Sequence, residues 1–227
     1  LSEADVIVYA GSLVNPALLD YKGRMQVYNS AKMTLEEVIA VMAPAAKAGK
    51  TVVRLHTGDP CVYGARREQM DELDKRGIPN EVCPGVSSFC GAAAALKAEY
   101  TLPNVSQSVI LTRMEGRTPV PEKEQIEAFA AHGATMVIFL SAGQLPRLSE
   151  RLIAGGYAPD TPAAIVYKAT WPDEGRADNV ADLAEAGARE GITKTALITV
   201  GGFLGTEYER SKLYDPTFTT EFREASR

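Results

Sequence analysis

Three stretches hold residues that could meet a ligand directly. The first, His56-Thr57-Gly58-Asp59-Pro60 with Tyr63 beyond it, follows an apolar run at 51–55. The second is Pro84-Gly85-Val86-Ser87-Ser88, and the third is Tyr167-Lys168-Ala169-Thr170-Trp171-Pro172. Gly58 lets the main chain approach a ligand closely, and Ser87 and Ser88, at a helix start, either cap it or face a ligand. The first turn lacks both the Lys-Ser/Thr pair of a phosphate loop and the spaced glycines of a dinucleotide turn. It carries Asp59 instead, which suits a ligand offering hydroxyls or positive charge, or else caps the following helix. His56, on a strand end, reads as a packed histidine, and Trp171 as either core or pocket wall.

A second kind of signal is Arg113-Met114-Glu115-Gly116-Arg117-Thr118-Pro119, directly after a strand. Arginine pairs with carboxylates through two parallel hydrogen bonds, so this loop suits a carboxylate-rich substrate; the alternative is a solvated surface loop. Arg66 and Arg67 read as surface charges on a helix, with Glu68 facing the turn.

These residues need a scaffold, and short β-rich runs alternate with helical stretches to supply one. Strands are expected at 5–9, 51–55, 80–83, 108–112, 135–140, 163–167 and 196–200. Helices are expected at 65–76, 87–95, 122–131, 145–154 and 180–189. A further helix opens at Thr34 with a capping box closed by Glu37 and ends near Gly49, with Pro44 placing its last turn in question. The polar and aromatic stretch 210–222 has no clear period. Such alternation implies an α/β protein of two lobes, 1–103 and 104–227, with mostly parallel or mixed sheets and a ligand cleft between them. Ligands of open α/β sheets gather at the carboxyl ends of strands, where the turn at 56–60 falls.

The 227 residues are 45% hydrophobic and 23% charged, enough for a real core. A net charge of −5 argues against a nucleic-acid partner, so an anionic substrate needs a local basic cluster. No apolar run reaches membrane-spanning length. Three unpaired-looking cysteines (Cys61, Cys83, Cys90) and two histidines favour a reducing, cytoplasmic setting and no metal site. The chain starts at Leu1 on LSEAD, which reads as the end of a helix, so a strand and helix are expected to precede it.

The Gly-Asp-Pro turn (HTGDPCVYG) and PGVSS, in this order, resemble those of the tetrapyrrole methylase family. SLVNP at 12–16, LTRMEGRTPVPE at 111–122, VYKATWPDE at 166–174 and RSKLYDPTFTTEFR at 210–223 extend the resemblance to essentially the whole chain. They are similar to a branch that methylates a ring carbon of a cobalamin precursor. Thr57-Gly58-Asp59 and Gly64-Ala65-Arg66 depart from the Gly-Gly-Asp-Pro and Gly-Arg-Gly of the uroporphyrinogen III branch. The resemblance implies a tetrapyrrole methylase-like fold, a tetrapyrrole substrate, S-adenosylmethionine as methyl donor with S-adenosylhomocysteine as product, and a homodimer. It places Gly58, Asp59, Tyr63, Ser87, Ser88, Leu140, Tyr167, Lys168 and Ala196 at the donor. It also implies a family Gly-rich loop ahead of Leu1. Arg113, Arg117 and Lys168 are then expected at substrate carboxylates and Glu115 elsewhere on the substrate, with Glu68 or Asp59, or water, as proton acceptor. A nucleotide- or NAD-dependent enzyme, a tetrapyrrole carrier and a methylase for another target are the competing readings.

Overall fold

The computed structural model describes residues 1–20, 25–171 and 177–226, with the backbone alone at 12 and 177–179. Expected positions at 172–174 and 227 lie outside the described residues. The chain divides into two compact units, Leu1–Ser88 and Phe89–Arg227. The division falls earlier than the break at Pro103. Tyr100 explains the difference: its ring sits 4.9 Å from that of Phe203, and its carbonyl accepts the Thr135 hydroxyl at 2.9 Å, so 89–103 packs with the second unit.

The first unit holds three strands: β1 (Val6–Tyr9), β2 (Gln26–Asn29) and β3 (Val52–Leu55), ordered β2-β1-β3 and parallel. Val8 is paired with Tyr28 on one side and Arg54 on the other. Strand β1 is apolar throughout because both its faces are covered. Helix α1 (Leu35–Lys47) joins β2 to β3 and presses Val38, Ile39, Met42 and Ala43 against Val6 and Val8. Its capping box forms as expected: Thr34 N–H donates to Glu37 at 2.7 Å, and Glu37 N–H donates to the Thr34 hydroxyl at 3.3 Å. Pro44 lies inside the helix rather than ending it. Both it and Ala40, whose carbonyl it leaves without an intrahelical donor, are exposed, so water can accept that role. Helix α2 (Arg67–Asp74) is shorter than expected at both ends. The expected strand at 80–83 does not form; Val82 is 40% exposed, and the run has no covered face to hold it in a sheet.

Helix α3 (Ser88–Leu96) begins at the last residue of the first unit. The second unit contains β4 (Val109–Arg113), α4 (Ile126–Ala130), β5 (Thr135–Phe139), α5 (Leu145–Ala154), β6 (Pro162–Tyr167), β7 (Ala177–Asn179), α6 (Leu183–Arg189) and β8 (Ala196–Val200). Its sheet is ordered β4-β5-β8-β6-β7, with β4 and β5 parallel and the remaining pairs antiparallel. Strand β5 is buried at every residue. Helix α5 buries Leu145, Leu148, Ser149 and Leu152, one stripe at helical spacing, against Ile138, Ile165 and Ile198. Strands β2 and β7 escape sequence reading because each is a short edge strand, four and three residues long, with too few positions to show a period.

Candidate functional site

Each sheet ends in a group of strained turns, and most of the expected ligand residues fall there. In the first unit β3 runs into His56 and then Gly58 at φ +64°. The turn at 84–88 lies against it: a Cβ on Gly58 would stand 3.2 Å from Ser88 N, and one on Gly85 only 2.1 Å from Gly58 O. Backbone therefore meets backbone at a distance only glycine permits.

Asp59 fastens this contact. One carboxylate oxygen accepts Cys61 N–H at 2.8 Å, and the other accepts Gly85 N–H at 2.7 Å. Hydrogen bonds from Cys61 and then Gly85, with Arg66 nearby, hold its pKa down at about 2. Asp59 is thus a latch between two turns, and so weak a base is unsuited to taking a proton near neutrality.

Beyond it, Tyr63 (φ +53°) and Ala65 (φ +45°) are non-glycine residues in the left-handed region. Such conformations cost roughly 1–3 kcal/mol each and collect at ligand sites. Tyr63 is exposed, Ser87 is buried at 8% exposure, and Ser88 is exposed at the first turn of α3. Glu68 is exposed in the first turn of α2.

Sequence reasoning overlooked Arg54 and Gln69. Arg54 is half-buried and donates to Val8 O at 3.0 Å, Leu55 O at 3.3 Å, the Ser30 hydroxyl at 3.0 Å and Gln69 Oε1 at 2.9 Å. The Ser30 hydroxyl in turn donates to Tyr9 O at 3.0 Å, so one guanidinium ties together the carboxyl ends of β1, β2 and β3. The signal was present in the sequence, since a charged residue within an apolar strand must be satisfied internally. His56 beside it is half-buried. Burial first, then the charges of Arg54 and Arg66, push its pKa down to about 4 and leave it neutral.

In the second unit, strand polarity gathers residues distant in sequence. Arg113 ends β4 opposite Phe139 of β5, with Leu140 next in line. Because β8 runs the other way, its first residue, Ala196, pairs with Tyr167 at the end of β6. Leu140, Tyr167, Lys168 and Ala196 thus share one end of the sheet. Leu140 (φ +53°), Lys168 (+48°), Thr170 (+70°) and Thr195 (+59°) are all left-handed there, and Leu140 is nevertheless 59% exposed. The strain at Leu140 is therefore not offset by burial of its side chain. The Lys168 ammonium stands 4.9 Å from the Tyr167 ring centre and 5.1 Å from that of Trp171, a cation–π pair of contacts.

The arginine loop is held largely by its own contacts. Arg113 donates to Met114 O at 3.0 Å, Thr118 O at 3.3 Å and Pro119 O at 2.8 Å, shaping its own loop. Glu115 is paired with Arg147 and Arg151, and Arg151 also bridges to Glu127 at 2.5 Å. The Arg151 hydrogen bond holds the Glu115 pKa below its ordinary value. Arg113 and Glu115 thus brace the loop, and Arg117 is exposed on it. Among the described residues, no group of three or more His, Cys, Asp and Glu is placed to hold a metal ion.

A profile of the Tetrapyrrole (Corrin/Porphyrin) Methylases matches residues 1–184. The cobalt-precorrin-4 C(11)-methyltransferase of Methanocaldococcus jannaschii is 54% identical over 99% of this chain and 88% of its own. The X-ray structure of a cobalamin biosynthetic enzyme, cobalt precorrin-4 methyltransferase, superposes with a TM-score of 0.87 at 46% identity, covering 91% of this chain and 87% of the other. Uroporphyrin-III C-methyl transferase from Thermus thermophilus, complexed with S-adenyl homocysteine, gives 0.74 at 26% identity, with 90% and 88% covered. With the strained sheet ends and paired turns in place, this match across most of its length means that the chain belongs to the tetrapyrrole (corrin/porphyrin) methylases.

Proposed function

We propose that this chain transfers a methyl group from S-adenosylmethionine to C11 of precorrin-4, or of its cobalt-bearing form, in cobalamin biosynthesis. The observation that carries the reading is 54% identity, across nearly the whole chain, to a protein named for that reaction. Assembly as a homodimer and a cytoplasmic location belong to the same proposal. Among the described residues, no helix is long and apolar enough to cross a membrane.

The residues present fit the donor. Gly58 and Gly85 bring main chain to the surface of a turn pair, where backbone groups can meet the donor closely. Gly58, Tyr63, Ser87 and Ser88 are proposed to hold the donor; Leu140, Tyr167, Lys168 and Ala196 form a separate candidate contact row at one end of the second unit's sheet. Asp59 keeps the turns together rather than touching the donor. The donor supplies an electrophilic methyl on a good leaving group, so the chain needs no nucleophile. Its residues act by orienting and by excluding water; such positioning supplies roughly 7–11 kcal/mol in favourable cases. With Asp59 committed to backbone amides, Glu68 is the proposed proton acceptor and Arg117 the proposed partner of a substrate carboxylate.

Incubation with methyl-labelled S-adenosylmethionine and precorrin-4, with or without cobalt, is expected to place the label at C11 by carbon NMR. Label at another ring carbon, or binding without transfer, would exclude the assignment. In the same assay Glu68→Gln is expected to lose the acidic limb of the kcat profile, and an unchanged profile would return the proton to water.

A further inference from the structure

Arg66 stands out because one of its guanidinium nitrogens is left without an acceptor. Its Nη1 is buried and meets no hydrogen-bond acceptor. Neither Arg66 nor Arg54 forms a salt bridge among the described residues. Arg54 is at least satisfied by neutral acceptors. The carboxylate beside Arg66 is that of Asp59, and both its oxygens already accept backbone amides. His56, close enough to feel both guanidinium groups, is neutral. A chain of net charge −5 thus places two guanidinium groups beside His56, one of them also beside the carboxylate of Asp59, at the carboxyl end of its first sheet. Burying an arginine nitrogen without an acceptor is unfavourable in the free protein, and its geometry suits a planar, two-oxygen anion.

We propose that the Arg66 guanidinium is the receptor for a ligand carboxylate at this sheet end, a role that rests on the methyl-transfer reading. The carboxylate belongs either to the tetrapyrrole periphery or to the methionine part of the methyl donor. Arg66 is then a positioning and specificity residue. The free protein holds it ready at the expense of its own stability, and the bound ligand satisfies it.

The test uses the whole chain as wild type, Arg66→Gln and Arg66→Lys, titrated calorimetrically with S-adenosylhomocysteine and, separately, with uroporphyrin as a stable polycarboxylate ring. Removing the charge is expected to weaken one of the two ligands by about 10- to 100-fold. Loss confined to uroporphyrin assigns the carboxylate to the ring, and loss confined to S-adenosylhomocysteine assigns it to the donor. Arg66→Lys is expected to recover part of the affinity, since it keeps charge without the fork. The ligand-free Arg66→Gln protein is expected to melt about 2–4 °C higher than wild type, because a buried unsatisfied cation has gone. Unchanged affinity for both ligands, or loss of both with a lowered melting temperature, overturns the proposal. Wild-type protein that binds uroporphyrin through Arg66 but not S-adenosylhomocysteine would leave Arg66 in place and remove the methyl-transfer reading instead.

Discussion

Gly85→Ala is expected to abolish measurable S-adenosylhomocysteine binding, a loss of more than about 100-fold, since a shift of about 1 Å in a positioning group is enough for that. The new methyl would lie 2.1 Å from Gly58 O and 3.1 Å from Gly58 C, both backbone atoms that cannot rotate aside. The turns must part, and their separation also pulls Gly85 N–H from Asp59. Overpacking of this kind lowers stability by about 1–3 kcal/mol, so the protein should remain folded while losing its ligand. Gly133→Ala is the matched control. Its Cβ meets nothing within 4 Å and its φ is +61°, so it carries backbone strain without a collision. Isothermal titration of both variants, with thermal melts alongside, separates the two effects. Normal binding by Gly85→Ala would show that the turn contact does not shape the donor site.

Asp59→Ala is expected to weaken S-adenosylhomocysteine binding by about 100-fold on the same positioning argument. Asp59→Asn should do no better, because its amide would set an N–H against either Cys61 N–H or Gly85 N–H, both donors. A proton acceptor would behave otherwise: its loss would spare cofactor binding and erase a limb of the rate profile. The pH dependence has the same geometric origin. Asp59 has a folded pKa of about 2, below its ordinary value of 3.8, so its contribution is complete above about pH 4 and fades as pH falls through 2. Wild-type affinity should therefore be insensitive to this group between about pH 5 and 8. Asp59→Asn with wild-type affinity and no turnover would restore Asp59 as a base.

What could be read from residues alone divides by range. The capping box at Thr34 and Glu37 lies within one helical turn, so its spacing foretells its geometry. Most of the alternation of strands and helices was legible too, apart from the edge strands β2 and β7 and the strand that does not form at 80–83, as were the two turn motifs at the sheet end. Arg113 shows the limit, because three carbonyls of its own loop take three of its donors, and only the folded loop brings them round. Asp59 shows another, since its second amide comes from Gly85, in a turn distant in sequence. Arg54 binds strands set side by side by sheet register, which periodicity cannot supply. The row Leu140, Tyr167 and Ala196 came from family resemblance. The antiparallel pairing of β8 with β5 and β6 gives that row its physical basis.

Backbone amide NMR of the whole chain with and without S-adenosylhomocysteine addresses the main claim most directly. The expected outcome is large, saturable shifts at Gly58, Gly85 and Ser88, while the loop around Arg113 stays quiet. Saturable binding that leaves Gly58, Gly85 and Ser88 unmoved would contradict recognition of the methyl donor by these glycine-bearing turns.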